Sequence, residues 1–140
     1  MICGPGTEGG GEYRKRKVYV VGSAKPLPTP DKVPPLMKQL DNRLGREQLA
    51  FDEKGAVDRG AVIRMAVETY HRISHVHPFA DGNGRVARIA MNHLLRRYDQ
   101  GYVIFPPMSE PSPLWNALEE ANGGDMQPLF AFASECMHVV

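Results

Sequence analysis

The chain has 140 residues, 42% of them hydrophobic, which suits one globular domain with a moderate core. Its 17 basic and 16 acidic side chains leave a net charge of +1, so no overall field favours nucleic acid or an anionic membrane. No segment approaches the roughly 20 apolar residues of a membrane span, and the start lacks the apolar run of a signal peptide. We therefore expect a cytoplasmic protein without nucleic-acid or membrane partners; delivery into a host cell stays open.

The N-terminal region is predicted to contain a tail followed by a strand. Residues 1–11 are rich in glycine and predict a flexible tail ahead of one folded domain over 12–140. Residues 12–22, EYRKRKVYVVG, are rich in valine and tyrosine and predict one strand of a small sheet or hairpin. The basic run from Arg14 to Lys17 lies in this strand, and we expect it to form a solvated edge.

A stiff connector and a first helix are predicted next. Five prolines over 26–35 favour an extended connector, with a ligand for a proline-binding domain as the alternative. Apolar residues then recur at three- and four-residue steps, which predicts an amphipathic helix from near Asp31 to Gly45. The residues of this apolar face are Val33, Leu36, Met37, Leu40 and Leu44.

Four further helices are predicted from the same periodicity. Their ranges are, in chain order, from Asp58 to just before Pro78, from about Gly84 to Tyr98 or Gly101, from Leu114 to Ala121, and from about Pro128 to the C-terminus. The buried stripe expected on the second of these comprises Val86, Ile89, Ala90, His93 and Leu94. The two cysteines, Cys3 and Cys136, form neither a metal spacing nor a disulfide framework, so we expect both to remain thiols.

The stretch HPFADGNGRVAR, residues 77–88, forms the loop between two predicted helices and the first turns of the second. The first turn of a helix has backbone N–H groups without intrahelical partners and a positive dipole end, so it binds phosphate readily. Gly82 and Gly84 allow a sharp turn and a close approach of phosphate to the backbone. Arg85 and Arg88 project from nearly one face, where their donor forks can grip a polyphosphate, and Asn92 extends this line.

Asp81 would repel a phosphate unless a cation lies between them. Mg²⁺ needs only one or two protein carboxylates when phosphate oxygens and water fill its other positions, so Asp81 predicts a magnesium ligand. His77 has an ordinary pKa near 6.5 and can accept a proton at neutral pH. Together these residues indicate phosphoryl or nucleotidyl transfer with a histidine base.

Each residue also has a purely structural interpretation. A lone Gly-Asn-Gly is most often a turn, and a lone aspartate before a helix is usually a cap. The functional interpretation is favoured because all of these residues occur within twelve positions. His71, His75 and His77 could suggest a metal site, but zinc needs three or four converging ligands, so we expect packing or surface roles for the first two.

The same stretch resembles the signature of Fic domains, H-P-F-x-D/E-G-N-G-R-x-x-R, with every specified position filled. The likeness extends over about residues 11–138. It implies an all-α Fic fold, a helical bundle with a small N-terminal β-hairpin flap. It also implies a protein adenylyltransferase, which moves AMP from ATP to a Ser, Thr or Tyr hydroxyl of a target protein.

The resemblance also implies residue roles. His77 would deprotonate the target hydroxyl, Phe79 would anchor the loop, and Asp81 would hold Mg²⁺. The nucleotide phosphates would be bound by the anion hole of Gly82, Asn83 and Gly84, by Arg85, and by Arg88 at the γ-phosphate. Asn122, with Trp115 as a weaker candidate, is similar to the region that contacts adenine.

Two expectations concern partners. A flap within residues 14–25 would hold the target protein by strand addition. Many Fic proteins are restrained by a helix with the pattern Ser/Thr-x-x-x-Glu-Gly/Asn, which this sequence lacks. The restraining piece could then lie upstream, be supplied by a separate antitoxin-like protein, or not exist.

The resemblance leaves other activities open. Relatives that phosphorylate their target have lysine in place of Gly84, so this sequence speaks against them. Transfer of UMP or phosphocholine by the same site fits the signature equally well. A catalytically silent binding module is the alternative from another class, which the intact base, metal ligand and arginines disfavour.

Overall fold

The computed structural model describes residues 11–19, 26–55 and 57–139. Apart from Gly11, the predicted flexible tail lies outside these residues. After a single 3₁₀ turn at Pro30–Lys32 the elements are, in chain order, α1 (Val33–Lys54), α2 (Arg59–Val76), α3 (Asn83–Arg97), β1 (Tyr102–Val103), α4 (Pro113–Asn122), α5 (Gln127–Glu135) and β2 (Met137–His138). The predicted helical fold is confirmed. In the described part of the chain, no helix is both long and apolar enough to span a membrane.

The core is built around the packing of α2 against α3. Helix α2 begins where its cap predicts, because the Asp58 carboxylate accepts a hydrogen bond from the N–H of Gly60 at 3.0 Å. Large side chains on both helices are fully buried, among them Tyr70 and Met91, and each contributes about 1.5–3 kcal/mol by leaving water. The loop between α2 and α3 is therefore held at both ends by helices that form the core.

The buried stripe of α3 differs from the predicted one. Ile89 is 67% exposed and His93 is also exposed, so both predictions were wrong, whereas Leu94 is buried as expected. Val86 and Ala90 are only partly buried. The side chains that face α2 recur at intervals of three or four from the first residue of the helix, namely Asn83, Ala87, Met91, Leu94 and Leu95. This stripe begins with the polar residue Asn83, so a pattern of hydrophobic residues alone does not show which face of α3 is buried.

Helix α1 does not end at Gly45 as predicted but continues to Lys54. A glycine in a helix interior costs about 0.5–1 kcal/mol relative to alanine, which does not stop a helix held by packing on both sides. Here Leu44 and Phe51, on either side of the glycine, pack against the core. The helix ends at Gly55, whose φ of 68° is the left-handed conformation of a helix C-terminus.

The C-terminal third contains helices near their predicted ranges. The Ser112 hydroxyl caps α4 by accepting from the N–H of Trp115 at 3.1 Å, with Pro113 as the first helical residue. Helix α5 ends at Glu135 and does not reach the C-terminus as predicted. Cys136 follows it as a free, partly buried thiol, and the chain then forms β2.

The sheet lies elsewhere than predicted. Strand β2 pairs antiparallel with β1, with Val103 opposite Met137. Asn92 of α3 fixes β1 through two bonds to Val103, accepting from its N–H at 2.7 Å and donating to its carbonyl at 3.0 Å. The Asn92 side chain therefore holds a strand and does not extend the predicted line of phosphate ligands. Gly101 precedes β1 with φ 87°, and a Cβ there would lie 2.1 Å from the His138 carbonyl.

The described part of the predicted N-terminal strand, residues 12–19, has no regular secondary structure, and residues 20–25 lie outside the described chain. The reason is the way Arg14 is bonded. Its backbone N–H donates to the carbonyl of Pro78 at 2.8 Å, and among the described residues its buried side chain donates to backbone carbonyls. The segment is thus attached to the α2–α3 loop.

Candidate active site

His77 ends α2 in an unusual backbone conformation. Its N–H donates to the Ile73 carbonyl at 2.9 Å, and its φ of 53° and ψ of 58° are left-handed. A residue other than glycine in this region costs of order 1–3 kcal/mol, so the surrounding structure must hold it there. This turn moves the chain away from the helix axis immediately after the histidine, and the side chain lines a cavity beside α3.

The surroundings of His77 keep its imidazole neutral. The ring is partly buried, and this desolvation lowers its pKa below 6.5; a backbone hydrogen bond with Ser74 opposes the shift, and the positive charge of Arg14 adds to it. A neutral imidazole at neutral pH has a free ring nitrogen that can accept a proton. The chemistry expected for His77 is therefore available in this fold.

The loop that follows His77 is locked by the side chain of Asn83. This side chain is 3% exposed, accepts from the Phe79 N–H at 2.8 Å and donates to the Phe79 carbonyl at 2.9 Å. Phe79 itself is partly buried and packs on Tyr13, with ring centroids 5.8 Å apart. Both amide ends of Asn83 therefore hold the loop, and its backbone N–H lies at the start of α3.

The N-terminus of α3 provides unpaired backbone donors next to this loop. The Val86 N–H bonds to the Gly82 carbonyl, so the N–H groups of residues 83–85 precede the first helical hydrogen bond. Gly82 has a φ of 79°, a left-handed conformation that favours glycine at this turn. Gly84 has no such requirement, and a Cβ built on it meets no protein atom within 4 Å. The space above Gly84 is open to a ligand.

A cavity of about 270 Å³ brings most of the expected residues together. The predicted site residues that line it are His77, Asn83, Gly84, Arg88, Trp115 and Asn122. Asp81, Gly82 and Arg85 do not line it. Asp81 is exposed on the loop and Arg85 on the first turn of α3, whereas Gly82 is partly buried in the turn. The cavity thus has an imidazole, the α3 amides and one arginine on its walls, with a carboxylate and a second arginine outside.

Arg88 is bonded to the protein through two of its N–H groups. These groups donate to the carbonyls of Phe105 and Pro106, each at 3.0 Å. Arg88 also lies close enough to the buried Tyr70 for its charge to oppose the rise in the tyrosine pKa that burial causes. The guanidinium is therefore held at the cavity wall as a fixed positive charge.

Asn122 has a partner that sequence reasoning missed. Its Oδ1 lies 2.8 Å from Nε2 of His71, and burial lowers the pKa of that histidine. His71 stacks on His75 with ring centroids 5.8 Å apart. The i,i+4 spacing of the two histidines could have predicted their contact, whereas the bond to α4 joins residues 51 apart and has no local signal.

The fit to a magnesium ion rests on one carboxylate. Among the residues described, no three or more His, Cys, Asp or Glu side chains are grouped so as to hold a metal. Asp81 lies two residues before the first unpaired amide of α3. One exposed carboxylate beside a phosphate cradle suits an ion that takes its other ligands from a nucleotide and water. It does not suit an ion held by protein alone.

Comparisons with known proteins identify the family of this chain. A family model described as the Fic/DOC family matches residues 3–95, about two-thirds of the chain. The chain belongs to the Fic/DOC family. A relative named Protein adenylyltransferase Fic, from Drosophila mojavensis, is 34% identical over 127 residues, and its counterpart from Drosophila erecta is 33% identical.

Two solved structures are also similar. A Fic domain containing signaling protein from Bacteroides thetaiotaomicron has a TM-score of 0.70 and 25% identity, and the match covers 90% of this chain and 51% of that one. Fic-1 from C. elegans has a TM-score of 0.69 and 28% identity over 90% of this chain and 34% of that one. The two Drosophila matches cover 91% of this chain and 23% of each relative. This Fic/DOC chain therefore corresponds to one part of those proteins.

Proposed function

We propose that this domain transfers AMP from ATP to a Ser, Thr or Tyr hydroxyl of a target protein. The observation that carries the proposal is that a neutral imidazole and the unpaired amides of α3 lie at one cavity. The cavity, about 270 Å³, is of a size that suits part of a nucleotide. The name of the Drosophila relatives supports the same reaction.

In the proposed reaction His77 accepts the proton of the target hydroxyl. The hydroxyl oxygen then bonds to the α-phosphorus of ATP, the bond from that phosphorus to the bridging oxygen breaks, and pyrophosphate leaves. The amides of Asn83 and Gly84, which line the cavity, and the charge of Arg88 stabilise the negative charge that grows on the phosphate oxygens. Arg85, exposed at the start of α3, would contact the phosphates from outside.

Two further assignments belong to this proposal. Asp81 would hold Mg²⁺ together with phosphate oxygens, and that ion would neutralise phosphate charge when bound. Asn122, held against His71, would contact the adenine, and Trp115 lines the same cavity. The assignment of Asn122 rests on the family resemblance and on its place in the lining of the cavity, and that of Asp81 on its place beside the first turn of α3.

The target protein would bind along the segment that begins at Arg14. A second cavity, of about 310 Å³, lies between residues 12–18 and Ala80 of the loop. Tyr19, at the end of the described segment, is 80% exposed. A peptide bound there would lie next to the loop that carries His77, which supports docking of a target within residues 14–25.

One experiment separates this function from its alternatives. The chain is incubated in a cell lysate with Mg²⁺ and, in parallel, ATP, UTP, GTP or CDP-choline, and modified proteins are identified by mass spectrometry. We expect the mass of an AMP group with ATP only. His77→Ala should remove the modification, and His93→Ala, which changes an exposed histidine of α3, should not.

The other outcomes are equally informative. Addition of UMP, phosphocholine or phosphate would identify a different transferred group. No modification, together with retained ATP binding, would indicate a silent binding module. Modification that starts only after another protein is removed would indicate a separate inhibitory partner.

A further inference from the structure

Arg14 is buried although it belongs to a basic run. It is 4% exposed, whereas the three basic residues that follow it are exposed. Its guanidinium donates to four backbone carbonyls from three parts of the chain, namely Arg16 at 3.0 Å, Pro28 at 2.6 Å, Val76 at 3.1 Å and His77 at 2.6 Å. These acceptors are uncharged, and Arg14 forms no ion pair with any residue that the structure describes. The prediction of a solvated edge was wrong for this residue.

Three consecutive carbonyls at the end of α2 are bonded to this one residue. The Arg14 side chain donates to the carbonyls of Val76 and His77, and its backbone N–H donates to the carbonyl of Pro78 at 2.8 Å. Carbonyls in the last turn of a helix lack intrahelical donors and lie at the negative end of its dipole, where a buried cation is stabilised. Arg14 thus completes the C-terminus of α2 from a distant part of the sequence.

The bonded carbonyls flank the left-handed residue. With a φ of 53°, His77 has a backbone conformation that an L-residue does not keep without support, and its carbonyl is fixed by the 2.6 Å bond to Arg14. The backbone conformation sets where the imidazole points. We propose that Arg14 is a positioning residue for the base, holding the backbone of 76–78 in the turn that presents His77 to the cavity.

This inference rests on the proposed function and adds a connection to it. Arg14 lies at the start of the segment proposed to bind the target, and it also bonds to Pro28 of the connector. One side chain therefore fixes the base relative to the segment that would hold the target hydroxyl. Lysine cannot replace it, because an ammonium has three donors at one point and a guanidinium has five in a planar fork.

The test compares Arg14→Lys and Arg14→Ala with Arg46→Ala, which changes an exposed arginine of α1. Three properties of the full chain are measured: amide hydrogen exchange, ATP affinity in Mg²⁺ by calorimetry, and self-labelling with α-³²P-ATP at saturation. For both Arg14 variants we expect exchange over 77–82 to rise about tenfold or more, while the amides of α2 and α3 stay protected. The labelling rate should fall about 100-fold and ATP affinity should change less than about twofold.

Three results would overturn the inference. The first is unchanged amide exchange over 77–82 in both Arg14 variants. The second is loss of protection throughout α2 and α3, which would indicate a general stability role. The third is faster exchange over 77–82 together with a wild-type labelling rate. His77→Ala keeps the two proposals apart. Wild-type labelling by that variant would reject the base and with it the positioning role, while the exchange data would still decide whether Arg14 holds the loop.

Discussion

Replacing Asn83 with alanine should destabilise the loop of the candidate site by a predictable amount. The change removes the acceptor for the Phe79 N–H and the donor for the Phe79 carbonyl, bonds of 2.8 and 2.9 Å. A group that loses its buried partner costs about 1–3 kcal/mol. Because Phe79 is only partly buried and water can reach it, we expect the lower part of this range for each group, about 2–3 kcal/mol in total.

Urea unfolding followed by circular dichroism measures this cost. With an m-value of about 2 kcal/mol/M, the midpoint of Asn83→Ala should fall by about 1–1.5 M. Asn83→Asp should lie between that variant and the wild type, because a carboxylate still accepts from the Phe79 N–H but donates nothing to its carbonyl. Asn116→Ala changes an exposed asparagine of α4 and should shift the unfolding free energy by less than about 0.5 kcal/mol. Equal midpoints for Asn83→Ala and Asn116→Ala would refute the reasoning.

Three further predictions follow from glycines and from pH. Gly84→Ala should leave the unfolding free energy unchanged or higher, because its Cβ meets no protein atom. It should weaken ATP affinity, measured by calorimetry, about tenfold or more, since the methyl group occupies space open to phosphate. Unchanged affinity would show that phosphate does not bind at that position. Gly101→Ala should destabilise the fold by more than about 2 kcal/mol, because residue 101 has a φ of 87° and its Cβ would lie 2.1 Å from a backbone oxygen. Gly45→Ala, in open space within α1, should stabilise the fold by about 0.5–1 kcal/mol. Similar thermal midpoints for the two variants would contradict the structure. Because burial lowers the pKa of His77, the acidic limb of the labelling rate should have its inflection below pH 6.5, and the unfolding free energy should fall as pH drops through this range, since the unfolded histidine binds the proton more readily; an inflection above pH 7 would exclude a neutral, partly buried base.

Local signals in the sequence account for the parts that were predicted well. The N-terminus of α2 follows from Asp58, because a cap acts within one turn of its helix. The junction of loop and α3 follows from the glycines, since Gly82 requires a left-handed φ. His77 and Asn122 line one cavity, although the prediction for Asn122 came from the family resemblance and not from a local signal.

Long-range contacts account for what was missed. Arg14 reads as a surface cation, because nothing near it in sequence shows that carbonyls 62 and 63 residues away will surround it. Asn83 reads as a turn residue or a phosphate ligand, whereas its side chain bonds back to Phe79. Both cases involve polar groups satisfied by backbone, which hydrophobic periodicity cannot detect.

The sheet has a consequence for how the chain assembles during synthesis. Strand β1 is translated well before β2, because 33 residues and two helices separate Val103 from Met137. A nascent chain that stops short of Met137 therefore lacks the partner of β1. Pairing of β1 with β2 is a long-range step that can begin only after Met137 and His138 have left the ribosome.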